Sequence, residues 1–276
     1  DSSLYLYNKD LFREAGLDPA DPPSTWDEMS TAAAKITALG DGVHGFYLSG
    51  NATSSLAYDF TPLIWAQDQE VVTDAGSFDW DNEATQGALA FLQGLYENGD
   101  IPETSKTDTG DGFFSVFASG KIGIDLAGGN GVNTATLGTD PEFDFGLAPI
   151  PGPQDGQHAS FSGGDAAAIS ATTEHPDEAW DFVQWLTSKE TSEDTYLGLP
   201  ALPPRTDVAA PDSLGEQFTV PAGLLKEGQT YVSPHYNEVV ATAQGPFLEM
   251  FQSVVFNGAD PAQATAKAQD DSGSIT

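Results

Sequence analysis

Apolar and polar positions alternate with a period of two at the start of the chain. Leu4 and Leu6 interleave with Tyr5 and Tyr7, a period that predicts a β-strand. Asn8 offers a side-chain oxygen to cap a short helix over Lys9 to Ala15, which Gly16 closes. Three prolines between Asp18 and Ser24 then break the pattern. Thr25 and Glu28 follow with the spacing of a capping box: the threonine hydroxyl accepts a backbone N–H three residues on and the glutamate reaches back. A helix is therefore expected over Trp26 to Leu39. Val43 to Leu48 reads as a buried strand, and a helix should run from about Ser54 to Ala66, with Pro62 kinking it or marking its real start.

Helical spacing returns at Ala84, Ala88, Phe91, Leu92 and Leu95, in a helix capped by Asp81 or Asn82 and ending near Asn98. Phe113, Phe114, Val116 and Phe117 suggest a short helix closed by Gly120, followed by strands over Ile122 to Leu126 and Phe143 to Ile150. Small residues from Ala166 to Ser170 read as another strand. Pro176 with Asp177 and Glu178 then opens a helix whose apolar face carries Trp180, Val183 and Leu186. Helices are expected near Asp212 to Lys226, over Asn237 to Asn257 with Pro246 inside, and after Asp260-Pro261, while Asp270 to Thr276 should fray.

Two strings in this succession carry a resemblance: LYLYNKDLFREAGLDPADPPSTWDEM from Leu4 to Met29, and GGDAAAISATTEHPDEAWDFVQWLTSKE from Gly163 to Glu190. Both, with Phe117-Ala118-Ser119-Gly120-Lys121 between them, resemble elements of the extracellular solute-binding proteins of family 1, the maltose-binding-protein-like receptors of sugar ABC transporters. The resemblance implies an α/β fold, the two-lobed periplasmic binding protein type II fold. Residues 1–160 and 206–276 would form mainly its C-terminal lobe, and 165–200 would belong to the N-terminal lobe. A crossing between lobes would lie at Leu199-Pro200-Ala201 and Pro203-Pro204-Arg205. The family carries the first string in the middle of its polypeptide, so this chain is expected to start after the first segment of the N-terminal lobe. Residues 165–200 would then expose their apolar face.

Composition narrows the partners. Forty-two Asp plus Glu against nine Lys plus Arg give a formal charge of −33, which disfavours nucleic acid and anionic lipid because phosphate needs counter-charge. Most carboxylates lack a cationic mate, so self-repulsion should weaken the fold at low ionic strength; a saline habitat and a merely acidic secreted protein both fit. With no cysteine, disulfides, thiolate metal sites and a cysteine nucleophile are excluded. Histidines 44, 158, 175 and 235 stand apart, and neither a nucleophile elbow nor a phosphate-binding glycine loop occurs. The acidic runs at Asp79 to Glu83 and Asp108 to Asp111 lack full calcium-loop spacing and read as solvated surface. No cofactor is expected.

By resemblance the function is non-catalytic capture of a mono- or oligosaccharide for an ABC importer. The protein would be a monomer at the extracellular face of the membrane or in the periplasm, lipid-anchored or free, with the permease subunits as its protein partners. A sugar presents apolar C–H faces and a rim of hydroxyls, so its receptor needs flat aromatics, short polar side chains and backbone donors. Ligand contacts are expected in three places that match the family's binding loops: Tyr58 and Asp59, with Trp65 further along the helix; Gly128, Gly129 and Asn130; and Ser162, Gly163, Gly164 and Asp165. Asn130 stands where the maltose receptor carries a stacking Trp, which weakens a maltodextrin assignment. Arg205 and Tyr236 complete the set. Two alternatives remain: the same fold holding a polyamine or other cationic solute, and a polysaccharide-active enzyme.

Overall fold

The computed structural model describes residues 1–112, 115–128, 143–164, 166–194, 205, 207–208 and 215–275. In chain order, β1 (Ser3–Asn8), α1 (Lys9–Glu14), α2 (Trp26–Thr37), β2 (His44–Tyr47), α3 (Thr53–Trp65) and α4 (Glu83–Glu97) come first. A 3-10 turn (Glu103–Thr107), α5 (Ser115–Ala118), β3 (Ile122–Gly128), β4 (Phe145–Ala148), β5 (Ile150–Pro151) and β6 (His158–Ala159) follow. The remainder is helical: α6 (Pro176–Leu186), α7 (Lys189–Asp194), α8 (Glu216–Glu227), α9 (Tyr236–Val239), α10 (Pro246–Val255) and α11 (Pro261–Gly273).

The alternation in the first strand becomes the two faces of a sheet. Strand order is β2-β3-β1-β4, with β2 and β3 parallel and β1 antiparallel to both its neighbours, Tyr5 lying opposite Leu126 and Ala148. Tyr5 and Tyr7 face the larger core, built with α2, α3, α4, α10 and α11, while Leu4 and Leu6 join a smaller cluster with Tyr47, Phe117 and Leu224. Both tyrosine hydroxyls leave the core by hydrogen bonding the proline-rich loop: Tyr5 donates to the Pro23 carbonyl (2.7 Å) and Tyr7 to that of Pro19 (3.0 Å). That loop thus satisfies two phenols whose rings are buried.

Local capping follows the sequence. Asn8 Oδ1 accepts from the backbone N–H of Asp10 and Leu11, and Thr25 Oγ1 from that of Glu28. Glu28 reaches one residue further back than the simple box requires, taking the Ser24 N–H (2.8 Å) and hydroxyl (2.9 Å), which holds its carboxylate below the usual range. Asn82 rather than Asp81 caps α4.

Several expected elements differ from the structure, each for a physical reason. The helix expected over 237–257 is two helices, because Pro246 has no N–H to give and takes the first position of α10 instead of its interior. Pro62 neither starts nor ends α3; it sits inside, where it removes the N–H that would otherwise bond the Tyr58 carbonyl. The C-terminus does not fray from Asp270: α11 continues to Gly273, held by the Lys267–Asp271 ion pair (2.6 Å), by buried Ser272 and by Ile275 packing on the core. Residues 166–170 form no strand, since no sheet edge lies beside them among the described residues. The helix after them, α6, has no buried residue, and Trp180 (53% exposed), Phe182 (57%) and Trp185 (57%) face solvent. Phe113, Phe114 and the 199–204 crossing lie outside the described residues.

A carboxylate-floored cleft

β2 and β3 run parallel, and their carboxyl ends open onto a cleft of about 510 Å³, in the position where α/β sheets place ligands. Tyr47 and Ser49 form its wall on the β2 side, and Asp125 to Ala127 on the β3 side. The opposite wall is the first two turns of α3, where Ser54 with Tyr58 and Ser55 with Asp59 share a face by their i, i+4 spacing. Phe161 to Gly164, Thr230 and Tyr236 close the rim.

Aromatic packing fixes that rim. Phe161 lies 4.6 Å from Tyr58, 5.3 Å from Trp65 and 5.6 Å from Tyr231 between ring centroids. Its neighbour Ser162 donates its N–H to the Gln229 carbonyl (2.6 Å) and its hydroxyl to that of Leu225 (3.2 Å). Gly163 donates its N–H to the Asp1 carbonyl and accepts the Asp1 ammonium at 3.0 Å. A side chain at 163 would bring its Cβ to 2.9 Å from the Tyr58 ring, so only glycine leaves the cleft open beside that tyrosine.

Electrostatics set the floor apart. Asp108 is fully served: Tyr47 and Ser49 hydroxyls donate to its Oδ2 at 2.7 Å each, and the Gly110 N–H to Oδ1 at 3.1 Å. Asp59 is not, and no hydrogen bond to the Asp125 carboxylate forms among the described residues. Asp59 Oδ1 is sealed from solvent with no hydrogen-bond partner, and so is the Tyr58 hydroxyl. Burial alone pushes the Asp59 carboxyl up to about 8. Asp125, 4% exposed in the middle of an apolar strand, is raised by burial first and then by the charges of Asp59 and Asp108. Burial also raises Tyr47 and Tyr58, with Asp108 adding to the first and Asp59 to the second.

A stability consequence follows for Asp59. Its folded carboxyl binds a proton more tightly than the unfolded one, whose ordinary value is 3.8, so the contribution to stability is complete below pH 3.8 and is lost as pH rises through about 8. Asp59→Asn should therefore stabilise the unliganded chain at pH 8 by about 2 kcal/mol and leave it nearly unchanged at pH 4. Denaturant midpoints of the two proteins across that range measure the difference. A constant gap at every pH would show that ionisation is not its source.

The structure brings together Tyr58, Asp59, Ser162, Gly163, Gly164 and Tyr236. Trp65 does not join them: it is 3% exposed and packs behind the rim on Phe161 and Tyr231, because its place six residues past Asp59, about one and two-thirds helical turns, puts it on another face of α3. Arg205 is engaged elsewhere, donating to Asp207 at 2.7 and 2.9 Å, and it is not part of the cleft wall. Gly128 ends β3 opposite Ser3, and Gly129, Asn130 and Asp165 lie outside the described residues. Sequence reasoning missed Tyr47, Ser49, Asp108 and Asp125. Only Asp125 carried a visible signal: an acid inside Ile122-Gly123-Ile124-Asp125-Leu126 is costly to bury and asks for a reason.

A mixed sheet flanked by helices, with a polar cleft at the carboxyl ends of its parallel pair, is the architecture of the type II periplasmic binding proteins. The bacterial extracellular solute-binding protein model matches residues 2–193, and the chain belongs to that family. Its relatives are binding proteins. The multiple sugar-binding protein of Streptococcus mutans is 27% identical over 202 residues, covering 71% of this chain and 47% of that protein. A binding protein of Brucella abortus is 25% identical over 184 residues, covering 67% and 44%. The chain thus spans less than half the length of these curated relatives.

Among solved structures, the cyclic α-maltosyl-1,6-maltose binding protein of Arthrobacter globiformis superposes with a TM-score of 0.78 at 25% identity, covering 99% of this chain and 70% of that one. Maltose-bound MalE3 of T. maritima superposes with 0.84 at 22% identity, covering 100% and 71%; at that identity the likeness concerns the fold. No helix among the described residues is long and apolar enough to cross a membrane.

Proposed function

We propose that this chain forms the larger part of the cleft of a substrate-binding receptor, which holds a mono- or oligosaccharide without altering it and delivers it to an ABC-type permease. The cleft itself carries this proposal. Tyr58, Phe161 and Tyr236 offer ring faces for sugar C–H groups, and Ser54, Ser55, Asp59 and Asp125 offer short polar groups for hydroxyls, in a volume suited to one or two sugar rings. Membership of the solute-binding family and the similarity to a multiple sugar-binding protein support it. Residues 1–160 and 206–276 would form one lobe. Residues 165–200 would belong to a second, an assignment supported by the exposed Trp180, Phe182 and Trp185. Closure of the two lobes on ligand would give the permease a closed state to recognise. The receptor would act as a monomer outside the cytoplasm, lipid-anchored or free.

Calorimetric titration with a panel of hexoses, disaccharides and maltodextrins tests the proposal. At least one sugar is expected to bind, and Tyr58→Ala should weaken it by about tenfold to a hundredfold, the worth of one aromatic platform. Turnover of a glycoside, or unchanged affinity in the variant, would overturn the reading.

A further inference from the structure

We propose that the ligand of this cleft carries a protonated amine, seated between the carboxylates of Asp59 and Asp125. This rests on the carbohydrate reading and narrows it to amine-bearing sugars. Asp108, bonded to the cleft residues Tyr47 and Ser49, shows what a satisfied carboxylate looks like here: it receives two hydroxyl hydrogen bonds and one backbone N–H. Asp125 is more deeply placed, 4% exposed, and no hydrogen bond to its carboxylate forms among the described residues. Asp59 keeps an oxygen sealed from water and equally without a donor.

The charged and titratable groups lining the cleft with the pair are Tyr47 from β2, Tyr58 beside Asp59 on α3, Tyr236 from α9, and Asp1, whose ammonium donates to the Gly163 carbonyl; Asp108 accepts from Tyr47 and Ser49 outside that lining. No lysine, arginine or histidine lines the cleft among the described residues. Burial favours the protonated form of both acids in the empty cleft, and ionising the two together requires a positive charge beside them. Sugar hydroxyls can hydrogen-bond the protonated acids but cannot stabilise their ionised form by charge. An ammonium supplies donors and charge at once, and charge-assisted bonds of this kind are the stronger ones. The surrounding tyrosine faces add favourable cation–π contact. A metal ion fits less well, since the described residues bring together no group of three or more His, Cys, Asp or Glu side chains able to hold one.

Titrating the chain with glucosamine, N-acetylglucosamine, glucose and spermidine, each alone at neutral pH, tests the inference. Glucosamine is expected to bind at least about tenfold more tightly than glucose, with acetylation removing the advantage. Asp125→Asn should collapse the glucosamine-to-glucose ratio towards one; Asp59→Asn, which should be no less stable than the parent, gives the same readout if the first variant fails to fold. Glucose binding as tightly as glucosamine, or a ratio that survives both substitutions, would overturn the amine assignment and leave the carbohydrate reading standing. Binding of spermidine with exclusion of all three sugars would uphold the cationic site and overturn the carbohydrate reading. Binding of none of the four would overturn both.

Discussion

Replacing Trp80 with alanine is expected to lower the unfolding free energy by about 4 kcal/mol, as for other emptied aromatic sites in well-packed cores. Trp80 is fully buried, stacked on Phe78 at 5.0 Å and 10° and against Phe247 at 5.6 Å. The segment cannot slide to fill the hole, because Gln269 of α11 clamps it from both sides: its Oε1 accepts the Trp80 N–H at 2.7 Å and its Nε2 donates to the Phe78 carbonyl at 3.0 Å. Urea unfolding followed by circular dichroism measures the loss. A value below about 1.5 kcal/mol would mean that the neighbouring rings collapse into the space. The same stack reaches the cleft, since Phe78 contacts Tyr231, Tyr231 contacts Phe161, and Phe161 packs on Tyr58. The cleft wall is therefore buttressed by Trp80 through Phe78 and Tyr231.

Gly45→Ala is the second large effect, a loss of about 3 kcal/mol from overpacking. A Cβ at this position of β2 would overlap the Ala33 carbonyl of α2, and backbone, unlike a side-chain tip, has no rotamer to escape into. Helix α2 lies close on the sheet because Gly45 and Gly123 side by side offer it no side chains; at Gly123 a Cβ would meet Ile36 at 2.7 Å. Gly94→Ala supplies the contrast: it lies within α4 with nothing within 4 Å of its Cβ, so alanine there should be neutral or stabilising by up to about 1 kcal/mol. Thermal unfolding of the two variants side by side separates packing from a general effect of removing glycine. Equal melting temperatures would refute the close-approach argument. Any Gly45→Ala protein that still folds should also bind ligand less tightly, because β2 carries Tyr47 directly to the cleft.

The cleft joins a rigid frame to an incompletely satisfied polar floor. Ser162 and Gly163 are pinned through their backbones, Tyr58 is wedged beside Phe161, and Asp108 is locked by three donors. Against this, Asp59 and Tyr58 keep buried polar atoms without partners. Such atoms weaken an empty protein and strengthen a liganded one, since a ligand that supplies the missing partners recovers the desolvation cost.

The family match reaches Glu193 and takes in both signature strings, so the resemblance was legible in local patterns. Within it the site was read unevenly. Tyr58, Asp59 and the 162–164 loop, expected from their likeness to known binding loops, line the cleft. Trp65 was misplaced because its ring direction depends on which face of α3 meets Phe161 and Tyr231. Arg205 was misplaced because a local acid, Asp207, satisfies it first.

By itself, the sequence determined what depends on neighbours a few residues away. The Asn8 and Thr25 caps, the tyrosine and leucine faces of β1, the stop at Gly16 and the apolar stripe of α4 are set by steric and hydrogen-bonding rules of short range. Tertiary structure alone decided that residues 47, 59, 125, 163 and 236 share one cleft, and that Asp59 keeps an unpartnered oxygen while Asp108 behind Tyr47 and Ser49 is saturated. Charge regulation in a buried floor is a property of distance and desolvation between segments far apart in the chain, which no local pattern encodes.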